Sequence, residues 1–101
     1  MRTNRRITEC SIVVASDNHL STDLSGQAVI LNAKTATYHS MEGVGARIWN
    51  LLQRPRSVHE IHKALLAEYD VDWEPCLRDL LSFLTTLQAQ ELVEVHEQSV
   101  S

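Results

Sequence analysis

Ala36-Thr37-Tyr38-His39-Ser40-Met41-Glu42-Gly43-Val44-Gly45-Ala46-Arg47-Ile48-Trp49-Asn50-Leu51-Leu52 is the stretch in which the hydrophobic period of this chain changes. Up to Met41 the residues are short, β-branched or aromatic and read as a strand. From Gly43 onward Val44, Ile48, Leu51 and Leu52 fall on one side of a helix, with Trp49 beside them. The proline at position 55 ends that helix, because its ring pushes the preceding residue out of helical geometry. Arg54 and Arg56 suit the negative end of the helix dipole.

Upstream of this boundary the chain reads as strands. Ser11-Ile12-Val13-Val14-Ala15 is rich in β-branched residues, and Ser16-Asp17-Asn18 bends the chain away from it. His19 to Leu24 extends the pairing. Ser25-Gly26 then forms a tight connection to Gln27-Ala28-Val29-Ile30-Leu31-Asn32, and Ala33-Lys34-Thr35 turns the chain into Ala36 to Met41. The expectation is a three-stranded antiparallel meander.

Downstream the chain is helical. Ser57-Val58-His59-Glu60 is a capping box, in which the serine oxygen accepts from the third helical amide and Glu60 reaches back to the cap amide. Val58, Ile61, Leu65 and Tyr69 give the second helix its buried stripe. Asp72 is the expected cap of a third helix over Trp73 to Gln90, with Pro75 in the first turn, where its missing amide costs little. Leu77, Leu80, Leu81, Leu84 and Leu87 form a broad apolar face, and Cys76 and Phe83 widen one edge of it. Leu92-Val93-Glu94-Val95 suggests a short last strand, followed by a loose polar tail. The fold class is therefore α+β, a winged helix-turn-helix-like arrangement of a three-stranded antiparallel sheet followed by three helices. The 101 residues hold one domain, with its core over about residues 10 to 95.

Composition narrows the function. A formal charge of −4 offers no general attraction to a phosphate backbone, so nucleic acid is a poor default ligand. The basic tip Arg2, Arg5 and Arg6 reads as a solvated terminus. No apolar run is long enough to span a bilayer and no secretory signal is present, which implies a cytoplasmic protein away from membranes. Cys10 and Cys76 form no CxxC pair and read as buried or partly buried free thiols.

His59-Glu60-x-His62 lacks the HExxH spacing that puts two histidines on one face for zinc, so both histidines read as solvated and no metal is expected. No GxSxG, P-loop or GxGxxG is present, and Asp70 and Asp72 flank a helix start as capping residues do. Neither a cofactor nor an enzyme activity is expected.

The segments Leu24-Ser25-Gly26-Gln27-Ala28-Val29-Ile30-Leu31-Asn32, Thr37-Tyr38, Met41 and Gly43-Val44-Gly45-Ala46-Arg47-Ile48-Trp49 together resemble the PqqD-like family of leader-peptide recognition domains. Matches continue at Ser57-Val58-x-Glu60-Ile61, Leu65-x-x-Glu68-Tyr69-Asp70-Val71-Asp72 and Asp79-Leu80-Leu81-x-Phe83-Leu84-x-x-Leu87, covering about residues 12 to 95. The VGARIW segment and the strand patterns resemble the stand-alone proteins of lasso-peptide clusters more than PqqD of pyrroloquinoline quinone biosynthesis.

This resemblance implies a non-catalytic adaptor that binds the leader of a ribosomally made precursor peptide as an added strand. It then hands the peptide to a leader peptidase and a macrolactam synthetase. The implied site is Lys34, Ala36, Thr37, Tyr38, His39, Ser40 and Met41 along the outer strand, with Cys76, Asp79, Leu80, Phe83 and Leu87 on the third helix. Related leaders carry a tyrosine and a proline, so an aromatic pocket lined by Phe83 and Leu80 is expected.

Plain packing competes at several positions. A helix this apolar must bury most of its face, so Leu80, Leu84 and Leu87 are also core candidates, whereas Phe83 and Cys76 lie off the centre of the stripe. Tyr38 suits either the site or the core with its hydroxyl at the rim, and Lys34 reads as a charge guarding a free strand edge. Two other functions fit the same parts: a PqqD-type chaperone for a radical enzyme in another modified-peptide pathway, and a winged-helix DNA-binding protein. The second would need a basic recognition helix, but the third helix sets Arg78 against Glu74 and Asp79.

Overall fold

The computed structural model describes residues 6–17, 19–24 and 26–96. Arg2 and Arg5 of the basic tip, Asn18, Ser25 and the tail beyond His96 lie outside them; Arg6 is exposed.

The expected meander forms from β2 (His19–Leu24), β3 (Gln27–Asn32) and β4 (Thr37–Glu42), in the order β2-β3-β4. Both pairings are antiparallel, so His19, Asn32 and Thr37 stand in one row and Ser21, Ile30 and His39 in another. Because side chains alternate between faces, the buried Ala28, Ile30 and Asn32 mark the inner face. His39 and Met41 share that face through their partners Ile30 and Ala28, while Leu20, Leu31 and Tyr38 lie on the outer one.

β1 (Ile12–Ala15) does not join the meander. It is the central strand of a second sheet, between the two-residue β5 (Arg56–Ser57) and β6 (Val93–His96). Val13 at its centre is completely buried, which is what a strand flanked on both sides and covered on one face demands. The last strand was legible in Leu92 to Val95; β5 is too short to leave a period.

The helices follow the periodicity. α1 spans Val44–Leu51, α2 Val58–Glu68 and α3 Trp73–Ala89. Gly43 starts α1 with φ 61°, a left-handed conformation in which a glycine is free of Cβ strain. Arg56 answers the far end: its Nε donates to the Leu51 carbonyl at 2.7 Å. The capping box of α2 is complete, with the Glu60 amide donating to Ser57 Oγ at 3.1 Å and the Ser57 amide to Glu60 Oε1 at 2.9 Å. Asp72 departs from expectation. It occupies the N-cap position of α3 but its side chain makes no cap hydrogen bond.

Ile30, Trp49, Leu52, Ile61, Leu80, Leu84 and Leu92 are fully enclosed in the core between the sheets and helices. His62 is enclosed with them, contrary to its reading as a solvated residue. Its Nε2 donates to the Trp73 carbonyl at 3.0 Å and its ring stands edge-on to Trp73, tying α2 to the start of α3. His59, one turn back, is exposed as expected. Among the described residues no group of three or more His, Cys, Asp or Glu is placed to hold a metal ion. Cys10 is exposed rather than buried.

Three connections converge where the two sheets meet. The buried Asn32 donates to the Gln90 carbonyl at 2.8 Å and accepts from the Lys34 and Thr35 amides, clasping the β3–β4 turn to the end of α3. Ser16 donates to the Glu91 carbonyl and through its amide to that of Leu92. Lys34 reaches Glu91 at 2.5 Å.

Candidate functional site: an open strand edge beside an apolar groove

Among the described residues β4 pairs only with β3, so its other margin is unpaired backbone. Apart from the exposed Tyr38 and the half-buried Met41 its side chains are short or polar, with Thr37, Ser40 and Glu42 exposed and His39 half-buried, which keeps the margin soluble without covering it.

A groove of about 630 Å³ opens alongside. Val44, Gly45 and Ile48 of α1 and Leu65 of α2 form part of its wall, and Asp70, Val71 and Asp72 contribute from the link between α2 and α3. Pro75, Cys76, Asp79, Leu80 and Phe83 of α3 complete it. The groove meets β4 at Gly45: a Cβ built there would lie 3.6 Å from Phe83 Cζ and 3.7 Å from Met41 Cβ. The missing side chain leaves the floor low at the point where strand and helix come together. Burial, with the charge of Asp79 adding to it, pushes the Cys76 thiol pKa up, so this sulfur stays a neutral part of the apolar lining.

The expected residues divide cleanly. Cys76, Asp79, Leu80 and Phe83 line the groove, with Leu80 only 2% exposed as its floor. Thr37, His39 and Met41 stand on the face of β4 turned toward the protein interior. Tyr38 and Ser40 lie on the opposite face, so they bring only backbone to the edge; Tyr38 is 74% exposed and does not enter the core, and Ser40 Oγ accepts from Gln27 Nε2.

Three of the expected residues neither line the groove nor belong to β4. Leu87 is core, 2% exposed and off the groove. Ala36 belongs to the turn before β4, with φ 57°. Lys34 is held by Glu91 instead of guarding the margin.

Val44, Gly45, Ile48, Leu65, Asp70, Val71, Asp72 and Pro75 were not foreseen as lining. The only hint was that Val44 and Val71 are large apolar residues at element ends, and both are exposed.

Fold and site together define a small winged-helix-like α+β domain that leaves one sheet edge open against an apolar cleft. Residues 27–93 match the family model of PqqD, the coenzyme PQQ synthesis protein D, and the chain belongs to that family. Among solved structures it is similar to TbiB1 in complex with the TbiA(beta) leader peptide. The identity is 38% and the TM-score 0.78, over 84% of this chain and 99% of that one. A lasso peptide synthetase B1 complexed with its leader peptide shares the fold at 18% identity and TM-score 0.72, over 81% of this chain and 96% of that one. No curated protein matches the chain.

Proposed function

We propose that this protein binds the leader segment of a ribosomally synthesised precursor peptide by strand addition along β4 and delivers it to the processing enzymes of lasso-peptide biosynthesis. The observation that carries the reading is the unpaired margin of β4 running beside the groove between α1 and α3. A guest strand satisfies the free amides and carbonyls of an edge almost regardless of its sequence, and side chains that reach an adjoining pocket add selectivity. The similarity to TbiB1, solved with a leader peptide, supports the same ligand class here. The lasso setting is supported by the VGARIW segment and the strand patterns described above.

The role is presentation, without chemistry of its own. Holding the leader raises the local concentration of the attached core peptide at any enzyme that also holds the adaptor. A leader peptidase is the first such partner and a macrolactam synthetase the second. No helix among the described residues is long and apolar enough to cross a membrane, and a site in the cytoplasm suits the supply of precursor.

The test is titration of the full chain with a synthetic leader of the precursor encoded beside its gene. Binding at micromolar Kd or tighter is expected, lost on Phe83→Asp and on Thr37→Pro. Undiminished affinity in both variants refutes the site.

A further inference from the structure

The groove has an apolar floor and an anionic rim. Every charged residue that lines it is acidic: Asp70 and Asp72 on the link between α2 and α3, and Asp79 two turns into α3. All three are exposed. None joins an ion pair among the described residues, where the pairs are Lys34 with Glu91, Arg47 with Glu68 and His96 with Glu94. Asp72 does not even spend its carboxylate on capping α3. Arg47 follows the lining residues Val44 and Gly45 on α1 but does not neutralise the rim. Its guanidinium is committed to Glu68 through two hydrogen bonds of 2.8 and 2.7 Å.

Resting on the peptide-binding reading, we infer that the groove selects a leader in which the apolar residue filling it is accompanied by a lysine or arginine, the cation meeting the Asp70, Asp72 and Asp79 rim. In an extended guest, side chains two positions apart share a face and are separated by about 7 Å. A lysine or arginine at that spacing lays its aliphatic stem along the groove wall and carries its charge outward to the carboxylates. A glutamate or aspartate at the same position meets three like charges and is rejected, so the rim discriminates by repulsion as well as attraction. The sign of the whole molecule, −4, acts in the same direction on approach.

The probe is a random peptide display library selected on the full chain at low salt, in parallel with the Asp70→Asn, Asp72→Asn, Asp79→Asn triple variant. The single variant Asp79→Asn serves if the triple variant melts early. The native chain is expected to enrich peptides with Lys or Arg within two positions of an aliphatic or aromatic residue. The triple variant should keep the apolar preference and lose the basic one. Exposed charge pairs are each worth a factor of roughly two to five, so individual selected peptides should bind the triple variant about three- to tenfold more weakly. That gap should close as the salt concentration rises toward 1 M, where screening is nearly complete. Selection of apolar peptides without basic enrichment overturns the acidic-rim assignment and leaves peptide binding standing. Recovery of no peptide overturns both.

Discussion

The two sheets of this small domain are built on opposite principles. The meander β2-β3-β4 is local: each strand pairs with its neighbour in sequence through a short turn. The sheet β5-β1-β6 gathers strands from the beginning, middle and end of the described chain around a completely buried Val13. The non-local sheet locks the fold, and among the described residues its flanks are tied together and to the meander by Ser16 with Glu91, Asn32 with Gln90 and Lys34 with Glu91. With closure handled there, the meander is free to leave the outer margin of β4 unpaired. The proposed binding edge therefore belongs to the sheet built from local pairings.

The largest test of this division is Leu92→Ala. Leu92 is fully buried just before β6, and truncation should destabilise by about 2–5 kcal/mol in denaturant unfolding. The corresponding cut in the outer face of the meander, Leu20→Ala at a 69% exposed position, should cost under about 0.5 kcal/mol. Equal losses would erase the contrast.

Asn32→Ala comes next. It strands the Gln90 carbonyl and two turn amides, and should cost about 2–3 kcal/mol. Amide exchange in β4 should quicken with it, since the turn that aims β4 loses its clasp.

Adjacent prolines at Tyr38 and His39 address the margin itself. Amides alternate between the β3 side and the free side, so one of the two variants breaks a ladder bond and lowers stability by about 1–3 kcal/mol. The other should melt close to the parent and bind leader roughly tenfold more weakly. If the better-folded variant binds normally, the guest does not pair with β4.

Lys34→Ala removes an ion pair whose partners are 48% and 38% exposed, and should change stability by less than about 1 kcal/mol. The smallest expected effect is in acid. The Ser57 amide holds the Glu60 carboxyl below its ordinary pKa of 4.5, and the Arg47 guanidinium does the same for Glu68. Their contributions are present above that value and disappear as pH falls through the lowered one. Thermal melts of a Glu60→Gln, Glu68→Gln variant should accordingly decline less between pH 4.5 and more acid conditions than those of the parent.

What could be read from the residues follows from how local each signal is. The capping box Ser57 to Glu60, the leucine spacing of α3 and the change of period at Gly43 all act within a few positions, and each became the expected element. β4 also lies at a sheet edge and Cys76, Asp79, Leu80 and Phe83 share one groove; that they hold a peptide is the proposal above.

Long-range choices were not. Nothing near Val13 shows that its partners are Arg56 and Val95, and nothing near His62 shows that Trp73 will offer it a carbonyl in the core. Val44 looks like a core residue by spacing, yet it is 42% exposed because the helix face it occupies borders a groove and not another helix.

The pairing of Ala15 with Val93 also sets an order of events on the ribosome. At roughly 5–20 residues per second, β1 leaves the exit tunnel several seconds before its partner β6 has been made. During that interval the meander exists without the sheet that anchors it. Until then Val13 lacks its partner Val95, so the burial of β1 waits on residues made some eighty positions later.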